Sequence, residues 1–409
     1  MALFSIAWRN LWRHRRRSLI TSIGMGIGVA ISMAMIALMD GMNAQLFDVL
    51  VGQTLGHVQM HDPDYPARKQ IYDTIGDIDV VMARIDENAA PAAASPRVFS
   101  FGLAASAETS TGARMAGIYP DREDSLSKLA SRVVEGEYLP QEVGTSALIG
   151  AGLAETLEVG VGDELIVIVQ AADGSMGNAL YEIVGLVKTG SALMDRSGVY
   201  VHIEEAQSLL ALEEQAHEIV MSVEDPDEID VLAAAVKADY GEGYLVRTWY
   251  EADPQTAQLI QMSSSSGYIM LVIVFSVAGL GVLNTMLMAV LERTRELGLL
   301  RSLGLTPGQI RRLVMMEAAL LGGLSVACGL VLGGLMDFYL VTVGINFSTG
   351  NGQGMEYQGV TLPPYIKGEV TVEGIVITAS FVLFVCVAAA VWPAFRASRL
   401  RPVDAMRQV

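Results

Sequence analysis

The residues that could do chemistry in this chain are few, and most are badly spaced for it. His57 and His61 stand four apart with Asp62 beside the second, the residue types of a divalent-metal site. On an extended strand, however, residues i and i+4 lie about 13 Å apart, too far for two imidazoles to share an ion. The segment therefore reads as a plain exposed strand, and no metal site is expected. None of Lys69, Lys128, Lys188, Lys237 or Lys367 ends a G-x-x-x-x-G-K-[ST] loop, so the chain is not expected to bind ATP in the P-loop manner. The sequence also lacks a G-x-S-x-G elbow and an H-E-x-x-H helix, so no catalytic residue and no cofactor of its own are expected. Cys328 and Cys386, the two cysteines, both lie in apolar runs and read as small buried hydrophobes. Two polar residues stand out instead, Asn284 and Glu317, each inside a long apolar run. A carboxylate at membrane depth is a functional candidate by default. Glu317 falls in the first turns of its helix, where the helix N-terminus favours negative charge. An arginine of the preceding loop is within reach, so a structural ion pair is the favoured reading.

The elements that must position these residues are membrane helices. The chain has 409 residues, 52% hydrophobic and only 18% charged, with a net charge of −18. That is too few charges for an ordinary soluble globule and too much apolar surface for a disordered chain. Four runs, at 19–39, 268–291, 313–336 and 374–392, reach the ~20 apolar residues that a bilayer crossing needs. Three carry no charge and the third only Glu317. The first run follows Arg13 and Arg15 to Arg17, but it is longer than a signal-peptide core and has no cleavage site, so it reads as an anchor. In it, Gly24 and Gly28 form a small-xxx-small ridge of the kind that lets helices pack closely.

Arginine and lysine set the orientation. Residues 1–18 and 292–312 hold five each and the tail after Trp392 four, whereas residues 40–267 hold 12 basic and 37 acidic residues. Both termini (1–18 and 393–409) and the 292–312 loop are thus expected on the cytoplasmic side. Residues 40–267 and the 337–373 loop are expected outside, in the periplasm. Such an acidic exported domain excludes nucleic acid as a partner, which requires a basic footprint. Within residues 1–18, Phe4, Trp8, Leu11 and Trp12 share one helical arc opposite Arg9, Arg13, Arg16 and Arg17, the pattern of an interfacial amphipathic helix on membrane lipid.

The external segment reads as mixed α and β. Strands are predicted at 56–60, 97–105, 113–119, 164–169, 181–187, 217–223 and 244–249, and helices at 78–88 and 228–240. These group as one α/β lobe, 56–119 plus 217–250, with a β-rich insertion at about 120–216. A stalk follows at about 252–267, with Ser263 to Ser266 either as its polar end or as a joint.

Between the second and third runs the chain becomes specific. Glu292, Arg293, Arg295, Glu296, Gly298 and Arg301 form a short charged helix with Glu292–Arg295 and Glu292–Glu296 on neighbouring turns. Gly304 can end it, and Thr306-Pro307 can cap and start the next helix. With Asn284-Thr285-Met286, the E-R-T-R-E-L-G run at 292–298, Arg301-x-x-Gly304 and Glu317, this stretch resembles the FtsX-like permease domain shared by MacB, LolC and LolE. Ala7-Trp8-Arg9-Asn10-Leu11, Gly56-His57-Val58-Gln59 and the tail from Pro393-Ala394 to Arg401-Pro402-Val403-Asp404-Ala405-Met406-Arg407 resemble the family's other landmarks.

The resemblance implies an integral membrane α-helical protein with four spans in a one-plus-three layout and a large α/β extracytoplasmic domain, a MacB/FtsX-type (type VII) ABC permease. It implies that two copies of a cytoplasmic ATPase bind ATP and magnesium, and that a second permease subunit, identical or not, completes the complex. Glu292, Arg293, Arg295, Glu296, Gly298, Arg301 and Gly304 would then form the coupling helix seated on the ATPase. MacB-type pumps carry a fused ATPase, whereas this chain begins almost at its first span, and FtsX has a smaller external domain. The lean is therefore to the LolC/LolE branch, which extracts lipoproteins from the inner membrane for a periplasmic carrier. The alternatives are MacB-like efflux of peptides or small molecules with a periplasmic adaptor, and FtsX-like regulation of cell-wall hydrolases.

Overall fold

Helix-forming apolar runs and alternating β-branched strands sort this chain into two compact units. The computed structural model describes residues 2–13, 15–347, 356–357, 360–361 and 365–399. The tail motif from Arg401 to Arg407 lies outside the described residues.

The first third of the chain runs α1 (Ala2–Arg13), α2 (Arg15–Phe47), β1 (Val58–His61), α3 (Tyr65–Arg68), α4 (Ile78–Asn88), β2 (Ala93–Ala105), β3 (Ser110–Ile118) and α5 (Pro120–Ser127). It continues with β4 (Val133–Gly136), β5 (Ser146–Gly150), α6 (Ala151–Leu157), β6 (Glu164–Gln170), β7 (Met176–Val187), α7 (Ala192–Ser197), β8 (Gly198–His202) and α8 (Ile203–Leu210). Then come β9 (Glu218–Ser222), α9 (Ile229–Tyr240), β10 (Leu245–Thr248) and α10 (Trp249–Ala252). The chain closes with α11 (Pro254–Glu292), α12 (Thr294–Ser302), α13 (Pro307–Thr342) and α14 (Val372–Ser398).

The membrane unit gathers Met1–Ala44, Gln261–Phe347 and Tyr365–Val409. Helices α2, α11, α13 and α14 are long and apolar enough to cross a membrane. At 1.5 Å per residue, the 39 residues of α11 extend about 58 Å, well beyond a ~30 Å hydrocarbon core. The stalk and second span are therefore one helix. Its serines lie within it, and the hydroxyls of Ser265 and Ser266 bond back to the carbonyls of Gln261 and Met262, each at 2.8 Å.

First-span packing against α13 runs through Gly26 rather than Gly24 and Gly28. A β-carbon on Gly26 would sit 3.0 Å from Cys328, and one on Gly329 2.4 Å from Val29. Gly24 and Gly28 have nothing within 4 Å and face away from the chain's own helices. Helix α1 presents Phe4, Trp8 and Trp12 outward, but Leu11 does not join them. It is buried in the helix-bundle core with Val29, Val290 and Ile310.

The α/β unit, residues 45–260, is built on one ten-stranded sheet in the order β10-β1-β9-β2-β3-β8-β5-β7-β4, with β6 pairing both β2 and β7. Most neighbours are antiparallel; β3–β8 and β5–β7 are parallel. The β-rich stretch at 120–216 shares this sheet, its strands continuing those begun by β1 to β3. Two cores line the helix-covered face. Val98, Met115, Val167 and Tyr181 pack with Leu153 of α6 and Leu210 of α8. Val58, Met60 and Ile219 pack with Ile85 of α4 and Val236 of α9. Helix α4 forms because Ile78, Val81, Met82 and Ile85, its buried residues, recur at helical spacing.

Strand β1 is a correction to the expected exposed strand. It lies between β10 and β9 and is buried at all four positions. Its polar side chains are satisfied internally: His61 stacks on Tyr65, and Tyr65 stacks on His217. Beside it, Arg97 of β2 is buried between two carboxylates, bonding Glu123 at 2.7 Å and Glu218 at 3.4 Å. It also reaches the Thr54 carbonyl at 2.8 Å.

Candidate functional site

The site that the sequence singles out is the turn joining α11 to α13. Helix α11 ends at Glu292 because Arg293 leaves the helical region, at φ −104° and ψ 18°. Helix α12 starts anew at Thr294 and ends at Ser302, and Gly304 then takes φ +100°, a conformation natural to glycine. Thr306 starts α13 with a reciprocal cap: its hydroxyl accepts from the Gln309 amide, and Gln309 Oε1 accepts from the Thr306 amide at 2.8 Å. Pro307 occupies the first helical position.

The break at Arg293 frees its side chain to turn inward. Its guanidinium bonds both oxygens of Glu317 at 3.0 and 3.2 Å and Glu296 at 3.0 Å. Asn10 of α1 donates to Glu317 at 2.6 Å, and Arg13 bonds Glu296 at 3.1 Å. Two helices in the spanning bundle, α12 and α1 are thus tied by one polar node, whose central pair is only 12% exposed on each side. Burial opposes the charge on Arg293, but Glu317 and Glu296 outweigh it and hold the guanidinium above its ordinary value. Both Glu317 contacts come from one nitrogen, Nη1, while Nε donates to Glu296, so the one guanidinium makes charge-assisted bonds to two carboxylates.

The structure divides the seven coupling candidates. Arg293 and Glu296 belong to the node, and Gly298 is buried with Leu297 against the bundle. Arg301 donates to the Ser398 carbonyl of α14 at 3.4 Å, and Gly304 turns the chain. Glu292 and Arg295 are exposed, as is Gly304 at the turn. The helix breaks between Glu292 and Thr294, so Glu292 does not share one helix with Arg295 and Glu296. Sequence reasoning missed Leu299 and Leu303, which are 54% and 73% exposed. Their i, i+4, i+8 spacing from Arg295 was the available signal, since it puts all three on one face. Asn10 and Arg13 were also missed as node members. Asn284 points outward from α11, and Gly24 and Gly28 face away from this bundle.

Nothing in this arrangement breaks a bond. An apolar-and-charged ridge (Glu292, Arg295, Leu299, Leu303) backed by a buried ion pair to the spans can receive a partner and pass on its motion.

Comparison with known proteins accounts for this layout. Residues 18–239 match the MacB-like periplasmic core domain, and residues 268–402 match the FtsX-like permease C-terminal domain. The chain is 24% identical over 404 residues to the lipoprotein-releasing system transmembrane protein LolC of Neisseria meningitidis, covering 95% of this chain and 94% of that protein. It is 22% identical over 415 residues to LolE of Haemophilus influenzae, covering 98% of each. It is 25% identical over 369 residues to the macrolide export ATP-binding/permease protein MacB of Nitrosomonas europaea, covering 83% of this chain and 53% of that protein. Four spanning helices in a one-plus-three order, the periplasmic-type domain between them and the match to both family domains make this chain a multi-pass ABC transporter permease of the MacB/FtsX family, a family that partners an ATPase.

Proposed function

We propose that this permease extracts lipoproteins from the bacterial inner membrane and hands them to a periplasmic carrier, driven by a pair of cytoplasmic ATPases. The observation that carries this reading is the end-to-end similarity to lipoprotein-releasing LolC and LolE. In this reading the 292–312 turn and both termini are cytoplasmic, as the placement of arginines favours, and residues 40–267 are periplasmic. A second permease subunit, identical or homologous, completes the transport unit.

The ridge of α12 supplies the seat for the ATPase. Closure of the ATPases pushes on Glu292, Arg295, Leu299 and Leu303. Because Arg293 ties α12 to Glu317 on α13, the push is delivered to the spans instead of being absorbed in a loose loop. Helix α11 runs unbroken from Pro254 to Glu292, so a displacement at its α12 end is carried along a single rod into the extracytoplasmic domain.

The test is reconstitution of the full chain with its ATPase and permease partner in proteoliposomes loaded with a triacylated protein. ATP-dependent transfer of that protein to a soluble acceptor is expected. Replacing Glu292, Arg295 and Glu296 with Ala should leave insertion intact and abolish transfer while ATP is still hydrolysed. ATP-dependent export of a macrolide or peptide without lipoprotein transfer would favour the efflux reading.

A further inference from the structure

One face of the ten-stranded sheet carries a feature that the permease function does not require. Strand register puts Arg247 of β10, Gln59 and His61 of β1, Glu218 of β9, Phe99 and Phe101 of β2 and Arg114 of β3 on one face. That face is opposite the one covered by α4, α6, α8 and α9. It borders a cavity of about 690 Å³, whose lining includes Tyr65, Lys69, Phe101, Arg114, Glu218 and Arg247, within the usual size range of small-molecule sites.

Its charge is the reverse of its surroundings. Residues 40–267 carry 37 acidic and 12 basic side chains, yet three of the twelve cations line this one cavity. Its carboxylate, Glu218, is committed to Arg97. Among the described residues Arg114, Arg247 and Lys69 make no ion pair, and the Nε atoms of Arg114 and Arg247 are buried without an acceptor. Arg114 lies over the Phe99 ring at 4.2 Å and the Phe101 ring at 5.9 Å, so its guanidinium is held in place by aromatic faces. Burial pushes the Arg247 guanidinium below its ordinary value, with Glu251 opposing, as expected of a cation lacking a close counter-ion.

From Phe101 an apolar stripe leaves the cavity. Leu103 follows on the same face of β2, Ile166 on β6 and Leu180 on β7, in register through the Leu103–Ile168 and Ile166–Leu180 pairs. Phe101, Leu103, Ile166 and Leu180 are 69%, 48%, 41% and 49% exposed, while the alternate residues Ala104, Val167 and Tyr181 fill the core. A strand in an exported domain ordinarily turns polar residues to water. Contiguous apolar surface of this kind marks a binding surface.

We propose that this cavity and stripe bind a single-chain anionic amphiphile, a fatty-acid-like molecule with its carboxylate at Arg114 and its chain across β2, β6 and β7. The stripe spans about 10 Å over these three strands at ~4.8 Å per strand, a length that suits an extended acyl segment. The site lies on a sheet face and not an edge, so it offers no free backbone ladder for an added peptide strand. The inference is independent of the lipoprotein reading, since it needs neither ATPase nor transport.

The test uses the full chain in nanodiscs of neutral phosphatidylcholine, photolabelled with a diazirine-bearing palmitate and mapped by peptide mass spectrometry. Saturable labelling of the β2 and β6 peptides is expected, competed by palmitate and not by the corresponding primary alcohol. Arg114→Gln should lower that labelling about tenfold, leave labelling of the span peptides unchanged and be rescued by Arg114→Lys. Leu103→Ser with Ile166→Ser, both on the exposed face and so compatible with folding, should lower it as well. The proposal is overturned if the alcohol competes equally, if Arg114→Gln keeps full labelling, or if an acidic peptide displaces the probe where palmitate fails. It is also overturned if Phe101→Cys forms disulfide-linked pairs of this chain that exclude the probe, which would make the face a chain–chain interface.

Discussion

Arg97 and Arg293 use the same chemistry at two places: each is a buried guanidinium shared by two carboxylates. Burial opposes charge on Arg97, but Glu123 and Glu218 together raise it above its ordinary value, and Arg97 in turn holds the buried Glu123 carboxyl below its ordinary value. Such a pair adds little net stability when intact but is costly to break, because the partner is left charged and unsatisfied. Arg97→Met should therefore destabilise the extracytoplasmic domain by about 3–5 kcal/mol, read as a lowered chemical-unfolding midpoint. A change within about 0.5 kcal/mol, the scale of an ordinary surface substitution, would show that the network is not structural. At this scale the sequence was partly legible. The partner class of Glu317 followed from the depth of a carboxylate beside an arginine-rich loop, although not which arginine or that Asn10 joins. Arg97 gave no such sign, because its partners lie 26 and 121 residues away and long-range pairing leaves no local pattern.

Helices and strands were legible where periodicity was unopposed and illegible where tertiary context overrode it. The helix at 78–88 shows its buried stripe directly, and Thr306-Pro307 states its own cap. Strand β1, Val58 to His61, alternates apolar and polar as a half-exposed strand does. Its place between β10 and β9 buries both faces, and the polar one is accommodated by Tyr65 and neighbouring histidines. Glycine spacing misled in another way: Gly24 and Gly28 match a packing motif, but contact is decided by which helix face meets α13, and that face carries Gly26. Gly26→Leu should disrupt the α2–α13 contact at a cost of about 1–3 kcal/mol, the usual range for overpacking, whereas Gly24→Leu should leave it intact. Thermal melting of the monomeric chain in detergent checks this; equal effects of the two substitutions would refute the assignment.

For the whole molecule, the division into spans and acidic domain was legible because uncharged runs and charge asymmetry are bulk properties of sequence. The continuity of the ten-stranded sheet was not, since pairing partners such as β2 and β9 are far apart in the chain. One property of the assembled domain is its response to acid. Burial lowers the pKa of His57, His61 and His217 below the ordinary imidazole value. His57 and His217 each accept a backbone N–H through Nδ1, which requires that nitrogen to be unprotonated. The unfolded chain takes up protons near pH 6.5 that the folded domain refuses, so stability falls as pH drops through that value. The melting temperature should be flat between about pH 7 and 8 and fall steadily towards pH 5, above the range where carboxylates titrate. A melting temperature unchanged between pH 7 and 5.5 would contradict the buried-neutral assignment.

The measurement that bears most directly on an ATP-driven lipoprotein-extracting permease is mass spectrometry of the complex purified gently from its native membrane. The expected result is this chain bound to a permease partner, two copies of an ATPase and a triacylated protein. An ATPase without acylated cargo would contradict lipoprotein extraction and favour efflux, and a complex lacking any ATPase would contradict the role of the α12 ridge as an ATPase seat.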